Sequence, residues 1–248
     1  YAKGKSLEDL QKEIEGYLDR GFTAFKMKIG RTANNYKMRL QYMKNGDFYL
    51  TNEEDKARIE LVRRTIGPDK TLMVDMNCTW DVDDVLRARS FFEKNDIFMI
   101  EEPTRSDDIA GYRRLTREMG GIRVAGIESE QGVSRFGEMI ATDTMDVVQA
   151  SLGWAGGFTG CRKIASTAQV FDKLYTPHSF FSAVMTAANI QFAASQVNIP
   201  FIEAEENENP LRTELLRAQI ETDGHMNYLV TDKPGLGIEL NWDVVDKY

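Results

Sequence analysis

The chain has 248 residues, of which 42% are hydrophobic and 28% charged, and it carries a formal net charge of −8 with a pI near 5.0. This length suits one α/β barrel or two smaller domains, and the hydrophobic content is sufficient for a core. The acidic balance excludes a general nucleic-acid-binding protein, which needs a basic surface to neutralise phosphates, and no apolar run approaches the length of a membrane span.

The first predicted elements are a helix and a strand. Ser6 is a capping-type residue, and the apolar residues after it recur at helical spacing, so residues 6–20 are predicted to form an amphipathic helix. Residues 23–30 are predicted to form a strand. Lys26 and Lys28 occupy alternate positions on this strand and therefore point to the same side of the sheet.

A polar stretch at 31–55 interrupts the pattern before a helix that is predicted at about 53–66. The interval between Lys28 and Asp75 is nearly twice the later intervals between strand ends, so we interpret this stretch as an insertion. Long excursions in compact domains are usually functional or mobile. An ordinary solvated surface loop is the alternative that stays open.

Strand and helix patterns then alternate at a constant period. The predicted strands end at polar residues, namely Lys28, Asp75, Glu101, Glu128, Ser151, His178 and Glu203. The helices that separate the later strands are predicted at 82–94, 108–119, 132–142, 158–171 and 181–196. This alternation indicates a parallel α/β sheet, and a possible further strand at Tyr1–Ala2 favours closure into a barrel over an open sheet. We assign the barrel to residues 1–223 and a tail that packs outside it to residues 224–248.

Acidic residues end three neighbouring strands of this pattern. A lone strand-end acid is usually a helix cap or a surface charge, but Asp75, Glu101 and Glu128 recur in register. Acids at the carboxyl ends of parallel strands lie where such folds place their chemistry, and Mg²⁺ prefers oxygen ligands. The sequence therefore predicts a Mg²⁺ site. Glu102 and Glu130 stay ambiguous, because side-chain alternation lets only one acid of each neighbouring pair face the mouth.

Two lysines and one histidine are candidates for acid–base chemistry. The like charges of Lys26 and Lys28 disfavour each other, which lowers the pKa of at least one and suits a lysine base. A solvated strand edge is the alternative for this pair. His178 is the one histidine at a strand end, where a structural and an acid–base role are equally open, whereas His225 lies in the tail and is predicted to be a surface residue.

An ordered series of motifs covers nearly the whole chain. It consists of Lys26-x-Lys28, Asp75-x-Asn77, Ile100-Glu101-Glu102-Pro103, Gly126-x-Glu128, Gly156-Gly157, His178, Glu203 and Pro234-Gly235-Leu236-Gly237. This series resembles the barrel domain of the enolase superfamily, most closely its mandelate racemase subgroup. The resemblance implies a TIM-type (β/α)7β barrel, Mg²⁺ as the cofactor, and an N-terminal capping domain that is absent from this chain.

The resemblance also implies a role for each motif residue in removing the proton α to a carboxylate. The implied metal ligands are Asp75, Glu101 and Glu128, and the implied substrate contacts are Asn77 and Ser151. Lys28 resembles the base on one face of the substrate, with Lys26 helping to hold the substrate carboxylate. His178 resembles the acid or base on the other face, and Glu203 resembles the eighth-strand carboxyl that hydrogen-bonds the enolate.

One departure from the subgroup bears on the choice between reactions. Where the subgroup pairs its histidine with an Asp at the end of strand six, this chain has Ser151. We therefore expect His178 to lack the partner that would orient it and favour its charged form. Racemisation needs a good base on each face and becomes less favoured, whereas dehydration needs one base and a proton donor. The absence of a lysine at or beside Ser151 argues against the muconate-lactonising branch.

The leading hypothesis is a Mg²⁺-dependent lyase that dehydrates a sugar acid. A racemase or epimerase of a 2-hydroxy acid is the alternative enzyme. A binding or structural barrel with a degraded site is the alternative that is not an enzyme. The expected partners are a small carboxylate substrate and other copies of the chain, without nucleic acid or membrane. The two cysteines match no metal or redox spacing, and no signal peptide is visible, so a cytoplasmic protein is predicted.

Overall fold

The structure is a computed structural model in which residues 6–30, 51–206 and 209–248 are described. Two predictions lie outside these residues: the possible strand at Tyr1–Ala2 and the body of the insertion at 31–50. Within the described residues, no helix combines the length and the apolar character that crossing a membrane requires.

The chain divides into two compact units. The first consists of Tyr1–Gly126 with Asp143–Asp146, and the second of Ile127–Thr142 with Val147–Tyr248. This division separates two groups of segments whose backbones pack closely within each group. It does not test the predicted boundary between a barrel and a tail at residue 223, which stays a prediction.

The first unit contains a parallel sheet whose strands follow one another in chain order. Its strands are β1 (Ala24–Lys28), β2 (Thr71–Asp75), β3 (Ile97–Glu101) and β4 (Arg123–Gly126). Val74, Ile100 and Val124 are fully buried in it, as expected for strands covered on both faces. The register pairs Lys28 with Asp75 and Asp75 with Glu101, so the polar strand ends meet at one edge of the sheet.

Four described helices connect and cover these strands. They are α1 (Leu7–Asp19), α2 (Asn52–Ile66), α3 (Val82–Lys94) and α4 (Ile109–Glu118). The insertion ends earlier than the predicted residue 55, because Thr51 is the N-cap of α2. Its hydroxyl accepts the Glu54 N–H at 3.2 Å while the Glu54 carboxylate accepts the Thr51 N–H at 2.6 Å, which is a capping box.

The second unit contains a short parallel pair and five described helices. The strands are β5 (Val147–Val148) and β6 (Leu174–Tyr175). The helices are α5 (Val133–Ala141), α6 (Gly157–Val170), α7 (Ala183–Ala194), α8 (Pro210–Thr213) and α9 (Trp242–Lys247). Single antiparallel bridges join Leu216 to Leu240 and Thr222 to Tyr228 in the C-terminal region.

The strand predicted at 201–203 is not formed among the described residues, which corrects the sequence prediction. The backbone approaches β6 earlier, where the Tyr175 N–H donates to the Asn198 carbonyl at 2.9 Å. Pro200 has no N–H to continue such a ladder. The segment is instead connected through a side chain, since Glu203 accepts the Ser179 N–H at 2.5 Å.

Candidate active site

Asp75 and Lys28 form an ion pair at the end of β2. The Asp75 side chain is fully buried, and Lys28 Nζ contacts its Oδ2. Asn77 donates its backbone N–H to Asp75 Oδ1 at 2.7 Å and its side-chain amide to Oδ2 at 3.4 Å. Burial by itself raises the pKa of Asp75. The charges of Lys28 and Lys26, together with the hydrogen bonds from the Lys28 ammonium and the Asn77 backbone N–H, lower it by more than burial raises it. The pKa of Asp75 therefore lies below its ordinary value.

Glu101 and Lys26 form the equivalent pair on the next strand. Lys26 Nζ lies 2.5 Å from Glu101 Oε2, and the Glu101 side chain is fully buried. We expected each lysine to act mainly on the other, but each ammonium also faces a carboxylate, which stabilises its charged form. The two lysines and the two acids thus form a charge-balanced group within the first unit.

Glu102 belongs to a different environment from its neighbour Glu101. Its backbone is left-handed, with φ +41°, and its Oε1 lies 3.5 Å from Ser106 Oγ, which in turn lies 3.2 Å from Cys78 Sγ. Burial, and next the charge of Glu102, raise the pKa of the Cys78 thiol and of the fully buried Tyr112 hydroxyl. This placement favours Glu101 over Glu102 as the metal-ligand candidate.

In the second unit, His178 lies between two carboxylates. Its Nδ1 is 2.9 Å from Glu128 Oε2 and 3.4 Å from Glu203 Oε2. Glu128 follows β4 by two residues, after Ile127 in a left-handed conformation with φ +61°. Burial alone lowers the pKa of His178, but its hydrogen bonds and charge interactions with Glu128 and Glu203 outweigh burial and raise the pKa to about 10.

The expectation that His178 lacks a carboxylate partner is therefore wrong. Ser151, the residue that the resemblance places where the subgroup has Asp, follows β5, but Glu128 and Glu203 supply the negative charge from elsewhere in the same unit. The partners were missed because a carboxylate was sought only at the Ser151 position, whereas Glu128 lies two residues beyond β4 and Glu203 lies in a segment that forms no strand among the described residues. Glu130, the ambiguous neighbour of Glu128, instead pairs with Arg135 at 3.3 Å.

Ser151 is fully buried and has a local structural role. Its Oγ accepts the Gly153 N–H at 3.2 Å, and its carbonyl accepts the N–H groups of Trp154 at 3.1 Å and Ala155 at 2.8 Å. These bonds close the turn after β5. Contact between Ser151 and a substrate stays a prediction.

Two aromatic residues that sequence reasoning missed surround His178. The Trp154 ring stacks on the imidazole with centroids 5.5 Å apart and an interplanar angle of 26°. Phe181 approaches the imidazole edge-on at 5.7 Å. The available signal was a tryptophan in the glycine-rich turn between a strand end and helix α6.

The donor groups of the first unit fit a hard divalent cation. Asp75 and Glu101 are fully buried carboxylates at paired positions on neighbouring strands, and carboxylate oxygens are the ligands that Mg²⁺ prefers. Among residues 6–30, 51–206 and 209–248, no three His, Cys, Asp or Glu side chains are already arranged as a metal site. The set of Asp75, Glu101 and Glu128 as three ligands stays a prediction.

Comparison with known proteins identifies the family. Residues 9–244 match the family model described as Enolase C-terminal domain-like. The chain belongs to this family. Among curated relatives, it is 30% identical over 249 aligned positions to the arabinonate dehydratase of Saccharolobus solfataricus, covering 100% of this chain and 61% of the relative. The chain thus spans about three-fifths of that relative's length.

Solved structures of this family have the same fold. The crystal structure of the 3,6-anhydro-D-galactonate cycloisomerase from Zobellia galactanivorans gives a TM-score of 0.85 at 30% identity, covering 98% of this chain and 63% of that one. A racemase from Streptomyces coelicolor A3(2) with bound magnesium gives 0.80 at 26% identity, with coverages of 98% and 59%. The resemblance to the enolase superfamily, and to its mandelate racemase-like members, is confirmed, as is the predicted fold class.

Proposed function

We propose that the protein containing this enolase C-terminal domain-like chain dehydrates a sugar acid in a Mg²⁺-dependent reaction. The observation that carries the proposal is the pairing of Lys28 and Lys26 with the buried carboxylates Asp75 and Glu101. It brings a candidate base next to the candidate ligands of the cation. The similarity to an arabinonate dehydratase supports a sugar acid as the substrate class.

Lys28 removes the proton α to the substrate carboxylate in this proposal. Its Nζ, once deprotonated, accepts that proton, and the C–H electron pair first moves onto the substrate carboxylate to give an enediolate. In a second step this electron pair returns to form the new carbon–carbon double bond as the β-hydroxyl departs. Lys26, two positions along the same strand, helps to hold the substrate carboxylate. The Asp75 contact orients Lys28 but also favours its protonated form, so Lys28 must lose a proton to bulk solvent before each turnover.

His178 supplies the proton to the departing hydroxyl. Because Glu128 and Glu203 both approach Nδ1, Nε2 is the nitrogen that we assign to proton transfer. The hydroxyl leaves as water, and the resulting enol tautomerises to a 2-keto-3-deoxy acid. Glu203 holds the imidazole and is itself held by the Ser179 N–H.

Asp75, Glu101 and Glu128 are the residues that we assign to hold Mg²⁺. When bound, the ion supplies positive charge beside the substrate carboxylate, which favours charge build-up there during proton removal. Asn77 positions one of these ligands through its two hydrogen bonds to Asp75.

Racemisation or epimerisation of a 2-hydroxy acid is the second candidate. The argument against it was the missing partner of His178, and the contacts with Glu128 and Glu203 remove that argument. A racemase incorporates solvent deuterium into both stereoisomers of its substrate. Exchange into one stereoisomer only, with 2-keto acid formation, would exclude racemisation.

The proposal is tested by a panel of aldonic and aldaric acids with Mg²⁺, in which 2-keto acid formation is detected. We expect at least one acid to be turned over, and we expect EDTA or Lys28→Ala to abolish turnover. Lys12→Ala is the matched control, because Lys12 forms an exposed ion pair with Glu8 on α1. Turnover that survives in Lys28→Ala would overturn the assignment of the base. Asp75-dependent Mg²⁺ binding without turnover of any acid would favour the non-catalytic alternative.

A further inference from the structure

The turn after β5 holds Trp154 in a fixed position. The Trp154 and Ala155 N–H groups both donate to the Ser151 carbonyl, and Ser151 Oγ accepts the Gly153 N–H. Helix α6 packs directly on this turn, because a Cβ on Gly160 would lie 2.2 Å from the Ala155 carbonyl oxygen. The indole is therefore presented by a preorganised backbone.

The Trp154 indole covers one face of the His178 imidazole. It stacks on the imidazole, and Phe181 meets the indole edge-on with centroids 5.4 Å apart, so the three rings contact one another. Trp154 nevertheless remains 40% exposed, whereas His178 is only 7% exposed. Much of the tryptophan surface is thus accessible next to the candidate acid.

We propose that Trp154 is a substrate-binding residue whose exposed surface takes the C–H-bearing face of the carbon chain of a sugar acid. This inference rests on the proposed function and deepens it. The negative face of an aromatic ring attracts positively polarised groups such as C–H, and it repels a carboxylate. Trp154 therefore selects an acid with a chain of several carbons beyond its carboxylate.

A tryptophan also contributes binding at low entropic cost. Its ring has only two side-chain torsions to fix, and here the contacts with His178 and Phe181 already fix them. A substrate that contacts the indole does not need to order it. A purely structural tryptophan that only covers His178 would affect all carboxylate ligands equally, so the two roles can be separated by ligand length.

The test compares long and short acids in a Lys28→Ala background, which prevents turnover by removing the proposed base. The long probes are D-arabinonate, D-galactonate and D-gluconate, and the short probe is tartronate, a hydroxy diacid without a further carbon chain. Binding of each is measured by calorimetry with Mg²⁺. Thermal unfolding of every variant checks that it is folded.

We expect Trp154→Ala to weaken the tightest long probe about tenfold while the affinity for tartronate changes less than about twofold. Trp154→Phe keeps an aromatic face and should recover most of the loss. Phe158→Ala is the matched control, because Phe158 is 45% exposed in the same unit but contacts Phe192 instead of His178.

Three results would overturn the inference: equal losses for long and short probes, no loss for either, or no binding of any long probe in the Lys28→Ala background. The proposed function is judged separately, by turnover and its dependence on Lys28. A sugar acid that is turned over normally by Trp154→Ala, with unchanged affinity, would leave the proposed function intact and remove only the role of Trp154.

Discussion

At the residue scale, each buried strand-end carboxylate of the first unit has a lysine as its counter-ion. Lys26 faces Glu101 and Lys28 faces Asp75. Removing a carboxylate from water is costly, and an ammonium in contact with it offsets much of that cost. Loss of one partner leaves the other charge buried with less compensation, so these pairs matter for folding as well as for the proposed chemistry.

Replacing Lys26 should destabilise the protein much more than replacing an exposed lysine. We expect Lys26→Met to lower the free energy of unfolding by about 3 kcal/mol, because Glu101 stays fully buried without its partner. Lys12→Met should change it by less than about 1 kcal/mol, since its pair with Glu8 is exposed. Urea unfolding measures both values, and equal losses would contradict the account.

The two cysteines should be unreactive in the folded protein. Burial, and then the nearby Glu102 charge, raise the pKa of the Cys78 thiol, and burial raises that of Cys161. A raised thiol pKa means that the reactive thiolate is scarce at about pH 8, near the ordinary cysteine pKa. Ellman's reagent should therefore label neither thiol rapidly in buffer and both in urea. Rapid labelling of Cys161→Ser in buffer would show that Cys78 is not protected.

The regular spacing of the predicted strands was enough to place Asp75 beside Glu101, but it did not predict which side chains contact His178. Alternation along one strand was enough to put Lys26 and Lys28 on one side. The partners of His178 come from segments remote from it in the chain, and no local rule connects them. Trp154 was missed because an aromatic residue in a turn has no periodicity to identify it.

At the scale of elements, the packing of α6 against the turn after β5 depends on a glycine. The Gly160 position has no room for a Cβ, because the Ala155 carbonyl oxygen lies 2.2 Å from where it would stand. Gly137 on α5 has no neighbour within 4 Å of its Cβ position. The two helical glycines therefore form a matched pair.

Alanine should have opposite effects at these two positions. Gly137→Ala should stabilise the protein by up to about 1 kcal/mol through helix propensity. Gly160→Ala gains the same propensity but must push α6 away from the turn, so we expect a net loss of about 1–3 kcal/mol. Thermal unfolding checks the sign, and stabilisation by Gly160→Ala would contradict the close packing.

In the first unit, strand ends followed from the sequence as accurately as helices, since β1, β2 and β3 end at the predicted Lys28, Asp75 and Glu101 and the predicted helix at 82–94 coincides with α3. In the second unit, the strands predicted to end at Ser151 and His178 form only at Val147–Val148 and Leu174–Tyr175, and the one predicted at 201–203 does not form among the described residues. Helical periodicity and caps are local signals. A strand exists only where a neighbour completes its ladder, which the sequence of the strand itself does not encode.

At the scale of the whole molecule, regular alternation of strands and helices was sufficient to predict a parallel α/β fold. The motif series then indicated the enolase superfamily, and the family match over residues 9–244 confirms it. The chemistry is less determined by the fold, because related chains include a dehydratase, a cycloisomerase and a racemase. In the proposed mechanism, the choice between reactions depends on which proton transfers Lys28 and His178 each carry out.

Deuterium exchange at the α-carbon tests the proposed roles of Lys28 and His178 most directly. The sugar acid found in the panel is incubated in D₂O with Mg²⁺ and either His178→Asn or Lys28→Ala, and NMR follows exchange and 2-keto acid formation. We predict that His178→Asn still exchanges the α-proton but forms product at least about 100-fold more slowly, and that Lys28→Ala does neither. Exchange or product formation by Lys28→Ala at the parent rate would contradict the account.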